Sequence, residues 1–238
     1  MMHRQLNREI EKIKQRLLQL GAQVEAAFFD ALTACREHRR DLVDAVISGD
    51  AAIDQAEIDL EEECLKLFAL YQPVAGDLRF LVAVLKINND LERIGDLAVN
   101  IAERAAFLAE HPLPAIPFDF TRMAEVTARM LRQSLDALSS GRLEPALEVA
   151  AMDDVVDAIN REMYRQVQDA MRADPDRIGS LIQVLGISRS LERIADHATD
   201  IAEDVVYMAS GEIVRHPTLP GDRRRSLGGI VPIPPRRT

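Results

Sequence analysis

Tryptophan is absent from this 238-residue chain, and aromatic residues together make up only 4%. Sandwich and barrel cores lean on aromatic and β-branched side chains, so a β fold is disfavoured. The two cysteines, Cys35 and Cys64, are far apart and form no CxxC pair. That excludes a disulfide framework and a zinc knuckle, and a reducing cytoplasm is the expected compartment. Glycine and proline number only 11 each. Several prolines gather in one short stretch and near the end, which leaves long uninterrupted segments between them. No apolar run reaches the ~18 residues that a membrane-spanning helix needs, so no membrane insertion is expected. The first residues are charged (Arg4, Arg8, Glu9, Glu11, Lys12, Lys14), unlike a secretory signal peptide.

What is present is a helical pattern. Hydrophobic residues make up 47% of the chain, and with few aromatics the packing falls to Leu, Ile, Val and Ala, as in helix bundles. Leu6, Ile10, Ile13, Leu17, Leu20 and Val24 mark a heptad-like seam in a helix predicted over 4–37. Gly21 sits inside it at a cost of about 1 kcal/mol relative to Ala, and the sequence offers no reason for it. A short helix is expected from about Asp41 to Ile47, stopped by Ser48-Gly49. A further helix over 50–71 carries Ile53, Leu60, Cys64 and Leu67 and ends at Gln72-Pro73, because proline disfavours helix at the preceding residue. The next helix spans about 76–110. Residues 112–117, with three prolines, read as a stiff linker. The pattern then restarts with helices over about 120–138, 143–150, 153–172 and 176–210, and Gly211 suits a helix C-terminus. Residues 217–238, rich in Pro, Arg and Gly, are expected to be disordered.

Long helix, short helix, helix and long helix thus occur twice. The implied architecture is all-α: two tandem antiparallel three-helix bundles over 1–111 and 118–216, arising by internal duplication. The duplication is also visible residue by residue. Ile87 to Glu103 and Ile187 to Glu203 share ten of seventeen positions without a gap. The shared residues are apolar ones at helical spacing plus Glu92/Glu192, Arg93/Arg193, Asp96/Asp196 and Glu103/Glu203.

Positions i, i+4 and i+8 follow one stripe of a helix. Glu92, Asp96 and Asn100 form one such stripe, and Glu192, Asp196 and Asp200 form its repeat. Like charges at i, i+4 destabilise a bare helix by about 0.2–0.5 kcal/mol per pair, and a bound cation reverses that sign. Carboxylates are the ligands of hard cations and of iron in oxygen-rich sites. The competing reading is a solvated face whose acids pair with Arg93 and Arg193. The spacing favours neither decisively, although the acids continue apolar stripes (Leu78, Val82, Leu85, Asn89 and Ile178, Ile182, Leu185, Arg189) that resemble a seam, and a second stripe (Ile87, Leu91, Ile94, Ala98, Ile101) supplies core beside them. Folding each preceding helix back about its turn brings Asp50 and Asp54 level with the first stripe, and Asp153 and Asp157 level with the second. These four either complete the same sites or, for Asp50 and Asp153, merely cap helix starts.

The formal charge is −10, from 29 basic and 39 acidic residues. Five Arg and one Asp lie in 217–238, so the tail is +4 and the rest −14. So acidic a body repels phosphate backbones and argues against nucleic acid. His197, about 100° around the helix from Asp196, suits a surface or hydrogen-bonded role better than a ligand. There is no Glu-x-x-His di-iron motif, P-loop, GxSxG or HExxH, so no catalytic residue is expected and the chain does not read as an enzyme.

Gln72-Pro73-Val74-Ala75-Gly76-Asp77-Leu78-Arg79, followed by Leu91-Glu92-Arg93-Ile94-Gly95-Asp96, resembles the first signature of the PhoU family, bacterial accessory proteins of phosphate-specific transport. Leu191 to Glu203, with Val206-Tyr207 and Gly211 to His216, resembles the second. The likeness runs over 1–216. It implies metal ions (iron, zinc, magnesium or manganese) held by E(D)xxxD motifs, which here fall on Glu92, Asp96 and Asn100 and on Glu192, Asp196 and Asp200. Asn100 stands where an Asp is common, which implies a weaker first site. The resemblance further implies a cytoplasmic negative regulator of the phosphate (Pho) regulon. Such a protein links the phosphate ABC transporter ATPase to the sensor histidine kinase and forms a homo-oligomer, expected as a dimer. The alternative, built on the same acids, is a metal-dependent enzyme or a metal-storage protein.

Overall fold

The computed structural model describes residues 2–111 and 120–211. The expected linker at 112–117 and tail at 217–238 lie outside the described residues. Six helices follow in order: α1 (Met2–Glu37), α2 (Arg40–Tyr71), α3 (Ala75–Glu110), α4 (Phe120–Ser140), α5 (Leu143–Ala173) and α6 (Ile178–Ser210). A single 3₁₀ turn, Pro175–Arg177, precedes α6. Among the described residues there is no strand. Helices α1, α2 and α3 pack on one another, as do α4, α5 and α6, and the two groups meet chiefly along α3 and α6. The predicted fold class is the one observed.

The α1 seam is buried except at Ile10, which is half-buried. Ile13, Leu17, Leu20 and Val24 are 1% exposed or less. The same holds on α2, where Ile53, Leu60, Cys64 and Leu67 face inward. Burial pushes the Cys64 thiol up to about 12, which keeps it protonated and inert. Left-handed residues close several helices. Gln72 (φ 47°) ends α2 just before Pro73, and Gly141 (φ 69°) and Gly211 (φ 78°) follow α4 and α6. Gly141 N–H donates to Ala137 O at 2.8 Å and Gly211 N–H to Tyr207 O at 2.8 Å, which satisfies carbonyls that would otherwise be orphaned at the helix end.

Gly21 now has a reason. A Cβ there would stand 2.9 Å from Leu135 Cδ2 of α4, so its absence lets the two halves approach through α1 and α4. Close by, Arg132 of α4 reaches Glu25 of α1 at 3.3 Å.

Two expectations are corrected. Ser48-Gly49 does not stop a helix, nor do residues 151–152: α2 and α5 each run unbroken through those points. The buried stripes Val43, Val46, Ile53 and Ala146, Val149, Val156 cross them. Packing of several side chains outweighs the ~1 kcal/mol helix penalty of one glycine. Asp50 and Asp153 are therefore helix-interior residues and cap nothing. The acid-bearing stripes are also not seams. Leu78 is 40% and Ile182 50% exposed, and Asn89 and Arg189 are exposed too. The core of α3 is, as the spacing predicts, the neighbouring stripe Ile87, Leu91, Ile94, Ala98 and Ile101, each at 0%. The acids ride the shoulder beside that core.

Candidate metal centres

Because α2 and α3 are antiparallel about the turn at residues 72–74, Asp50 and Asp54 descend beside Asp96. Carboxylate oxygens of these three residues lie within 4.8 Å of one another. The crowding shows in the proton affinities of their neighbourhood. Burial, then Asp54 and Asp96, raise the Asp50 carboxyl above its ordinary value. Glu92 is raised by burial and by Asp96, with Arg93 opposing and Asp54 and Glu57 adding. Glu57 joins from the next turn of α2, raised by burial, Glu61 and Asp54.

In the second half the corresponding acids of α5 and α6 influence one another's proton affinities. Glu192 is raised by burial and then by Asp157, with Asp153 adding and Arg189 and Arg193 opposing. Asp196 is pushed up to about 6 by burial, followed by Glu192, Asp153 and Asp157. Carboxylate oxygens of Asp50, Asp54 and Asp96 thus converge at one shoulder with Glu92 beside them, while Asp153, Asp157, Glu192 and Asp196 influence one another electrostatically at the other.

The third members of the stripes are placed elsewhere. Four residues advance a helix by about 400°, so a stripe drifts about 40° per step and about 80° over two. That drift turns Asn100 and Asp200 toward the α3–α6 contact. Asn100 Nδ2 donates to Asp96 O at 2.8 Å, and the residue lines a groove against α6. Asp200 joins Asp90 and His197, whose ligand atoms lie within 4.8 Å of one another. His197 Nδ1 is 3.0 Å from Asp90 Oδ1, so this histidine is hydrogen-bonded and partly buried. Sequence reasoning misses Asp90. The one available signal is its mismatch with Ser190 one repeat later.

The solvated-face reading holds in part for the first half. Arg93 lies 3.4 Å from Glu92 and 3.3 Å from Asp96. In the second half Asp157 meets Arg161 at 3.4 Å, but neither Glu192 nor Asp196 forms an ion pair within 4.0 Å among the described residues.

The residues fit a hard cation. Glu92 Oε2 is buried with no hydrogen-bond partner. Burial first, and neighbouring acids after it, raise the proton affinity of Asp50 and Glu92 at one shoulder and of Glu192 and Asp196 at the other. A bound cation would give Glu92 Oε2, whose one ion-pair partner is Arg93 Nε at 3.4 Å, a direct ligand bond and relieve the crowding together. The donor set is all oxygen, which suits magnesium, manganese or iron better than zinc, whose usual ligands include nitrogen or sulfur.

Twin three-helix bundles with paired acidic shoulders define a class of duplicated, all-helical proteins. The PhoU domain matches this chain twice, over residues 17–105 and 120–205. The phosphate-specific transport system accessory protein PhoU homolog of Pseudomonas putida is 38% identical over 213 residues, covering 89% of this chain and 83% of that protein. The homolog from Aquifex aeolicus is 38% identical over 212 residues, 89% of this chain and 96% of its own length. The crystal structure of PhoU from Pseudomonas aeruginosa superposes with a TM-score of 0.82 at 35% identity, covering 87% of this chain and 99% of that one. The phosphate transport system regulatory protein PhoU from Streptococcus pneumoniae gives 0.81 at 29% identity, over 89% and 100%. The chain belongs to the PhoU family.

Proposed function

We propose that this protein regulates phosphate uptake as a metal-loaded adaptor, communicating between the ATPase of a phosphate ABC transporter and a sensor histidine kinase. On this reading it represses the phosphate regulon when phosphate is plentiful, and acts in the cytoplasm as a homo-oligomer. Relatives named as accessory proteins of phosphate-specific transport, at 38% identity over 89% of the chain, support the transport role. No helix among the described residues is long and apolar enough to cross a membrane, so membrane contact would come through a partner.

The observation that carries the metal is the convergence of Asp50 and Asp54 on α2 with Asp96 on α3, carboxylate oxygens within 4.8 Å of one another, with Glu92 beside them; Asp153, Asp157, Glu192 and Asp196 repeat the residue pattern in the second half. Bound cations would neutralise these shoulders and thereby set the charge of the surface a partner meets. The protein's own residues hold the ions and present them. Titration of the purified kinase and the purified ATPase into the metal-loaded chain tests the reading. Saturable binding of at least one, weakened when the metal is removed from the wild-type chain by a chelator, is expected. Turnover of a phosphate ester by the metal-loaded chain, without binding of either partner, would favour an enzyme instead.

A further inference from the structure

The two halves differ at one place in a way that the duplication makes legible. Helices α3 and α6 run antiparallel, so residues related by the repeat occupy equivalent places at opposite ends of their contact. At one end Lys86 Nζ lies 3.5 Å from the buried Asp204 carboxylate, and Asp90 meets His197 at 3.0 Å. At the other end the equivalents are Gly186, Arg104, Ser190 and Leu97. Every acid of the first set is gone, and an arginine stands where Asp204 stands. Asn89 is likewise replaced by Arg189.

This second end is an open groove of about 360 Å³ between α3, α5 and α6. Arg104, Arg189 and Arg193 line it, beside Tyr164 and Ile182. The Arg104 guanidinium lies flat on α6 at Gly186: a Cβ there would come within 2.4 Å of Arg104 Cζ. Gly186 is thus the space the guanidinium occupies. Arg104 Nη1 donates to Gln183 Oε1 at 3.0 Å, while its Nε is buried with no hydrogen-bond partner. Arg189 and Arg193 form no ion pair within 4.0 Å among the described residues. The acid nearest in charge is Glu192, which feels both arginines but is raised more by Asp157 on α5. Three cations therefore converge in a chain whose net charge is −10.

We propose that this groove binds an oxyanion of the phosphate class, with Arg104 as its fixed donor and Arg189 and Arg193 closing over it. Arginine's planar fork matches phosphate oxygens two at a time. A guanidinium held by packing loses less freedom on binding than one extended into water. Tyr164 and Ile182 add an apolar wall, which an organic phosphate would use and a free phosphate ion would not.

The test is calorimetric titration of inorganic phosphate, and separately of ADP, into the full chain with and without EDTA. Saturable binding unaffected by EDTA is expected, because the groove contains none of the acids that would hold metal. Arg189→Glu with Arg193→Glu, both exposed, should weaken it at least tenfold. Gly186→Ala should weaken it severalfold by displacing the guanidinium. Arg36→Glu, an exposed change elsewhere, should leave it unchanged. Circular dichroism of each variant separates a lost site from a lost fold, and Arg104→Lys gives a second reading on the fixed donor. If ADP binds far more tightly than phosphate, the organic phosphate is the ligand; the reverse order assigns the free ion. Absence of binding by both at millimolar concentration overturns the proposal. So does binding that persists in the double variant, or that disappears with EDTA, which would place the anion on metal at the acidic shoulders.

Discussion

Lys86 Nζ reaches the Asp204 carboxylate across the contact of α3 with α6, at 3.5 Å, and that carboxylate is only 2% exposed. The same ammonium lies 5.4 Å from the centre of the Tyr207 ring. A carboxylate removed from water is costly unless a cation and hydrogen bonds compensate it. Lys86→Met keeps most of the packing and removes the ammonium. A loss of about 2 kcal/mol is expected, less than for a fully buried pair because the lysine is half-exposed. Urea denaturation at neutral pH measures it, and Lys86→Met with Asp204→Asn should recover part of the loss.

Gly21 gives a steric prediction of opposite kind. Alanine there gains about 1 kcal/mol of helix propensity but brings its Cβ within 2.9 Å of Leu135 Cδ2. That atom is the end of a flexible side chain, so Gly21→Ala should be close to neutral. Gly21→Leu cannot be accommodated by one rotamer change and should cost about 2–3 kcal/mol. A thermal melt in which the leucine variant matches wild type would show that α1 and α4 do not meet as described.

The bundle is legible in the sequence because periodicity reports burial directly. Ile13, Leu17 and Leu20 recur at core spacing, and the one competing local signal, Gly21, costs only about 1 kcal/mol. The limits of α2 and α5 are not legible, because Ser48-Gly49 is a local stop signal that the distant packing of Val46 and Ile53 overrides. The acids that share each shoulder follow from helix spacing and turn position. Asn100 and Asp200 do not, since their fate depends on about 80° of drift and on where α6 lies against α3. Asp90 and His197 meet 107 residues apart, and only the tertiary fold brings them together.

Acidic crowding makes a pH prediction. Asp196 rises from 3.8 to about 6 in the folded chain, so the fold binds its proton more tightly than the unfolded chain does. Stability from this group is therefore greatest below about pH 4 and falls as pH rises through about 6. Discounted for solvent screening at a half-exposed carboxyl, the effect is about 1 kcal/mol. In metal-free protein this group should raise the melting temperature at about pH 5 relative to about pH 7, and Asp196→Asn should flatten that difference. An Asp196→Asn profile parallel to wild type would mean the carboxyl is not crowded.

The two shoulders need not hold metal equally. The family likeness places Asn100 in the first site and so implies that this one is the weaker. Its amide is instead engaged with Asp96 O at 2.8 Å, and Asp50, Asp54 and Asp96 already place three carboxylate oxygens within 4.8 Å of one another. These three carboxylates give the first site ligands that do not depend on Asn100. Asp50→Asn with Asp96→Asn should then lower metal content, measured by mass spectrometry after loading with manganese or iron, at least as much as Asp153→Asn with Asp196→Asn. A further comparison separates what the metal does for a partner. If cations only relieve repulsion among these acids, neutralised variants should bind the kinase or ATPase without metal. If a cation bridges to the partner, the same variants should fail while remaining folded. Unchanged partner binding by wild type after chelation would mean that the metal has no regulatory part, whichever shoulder holds it.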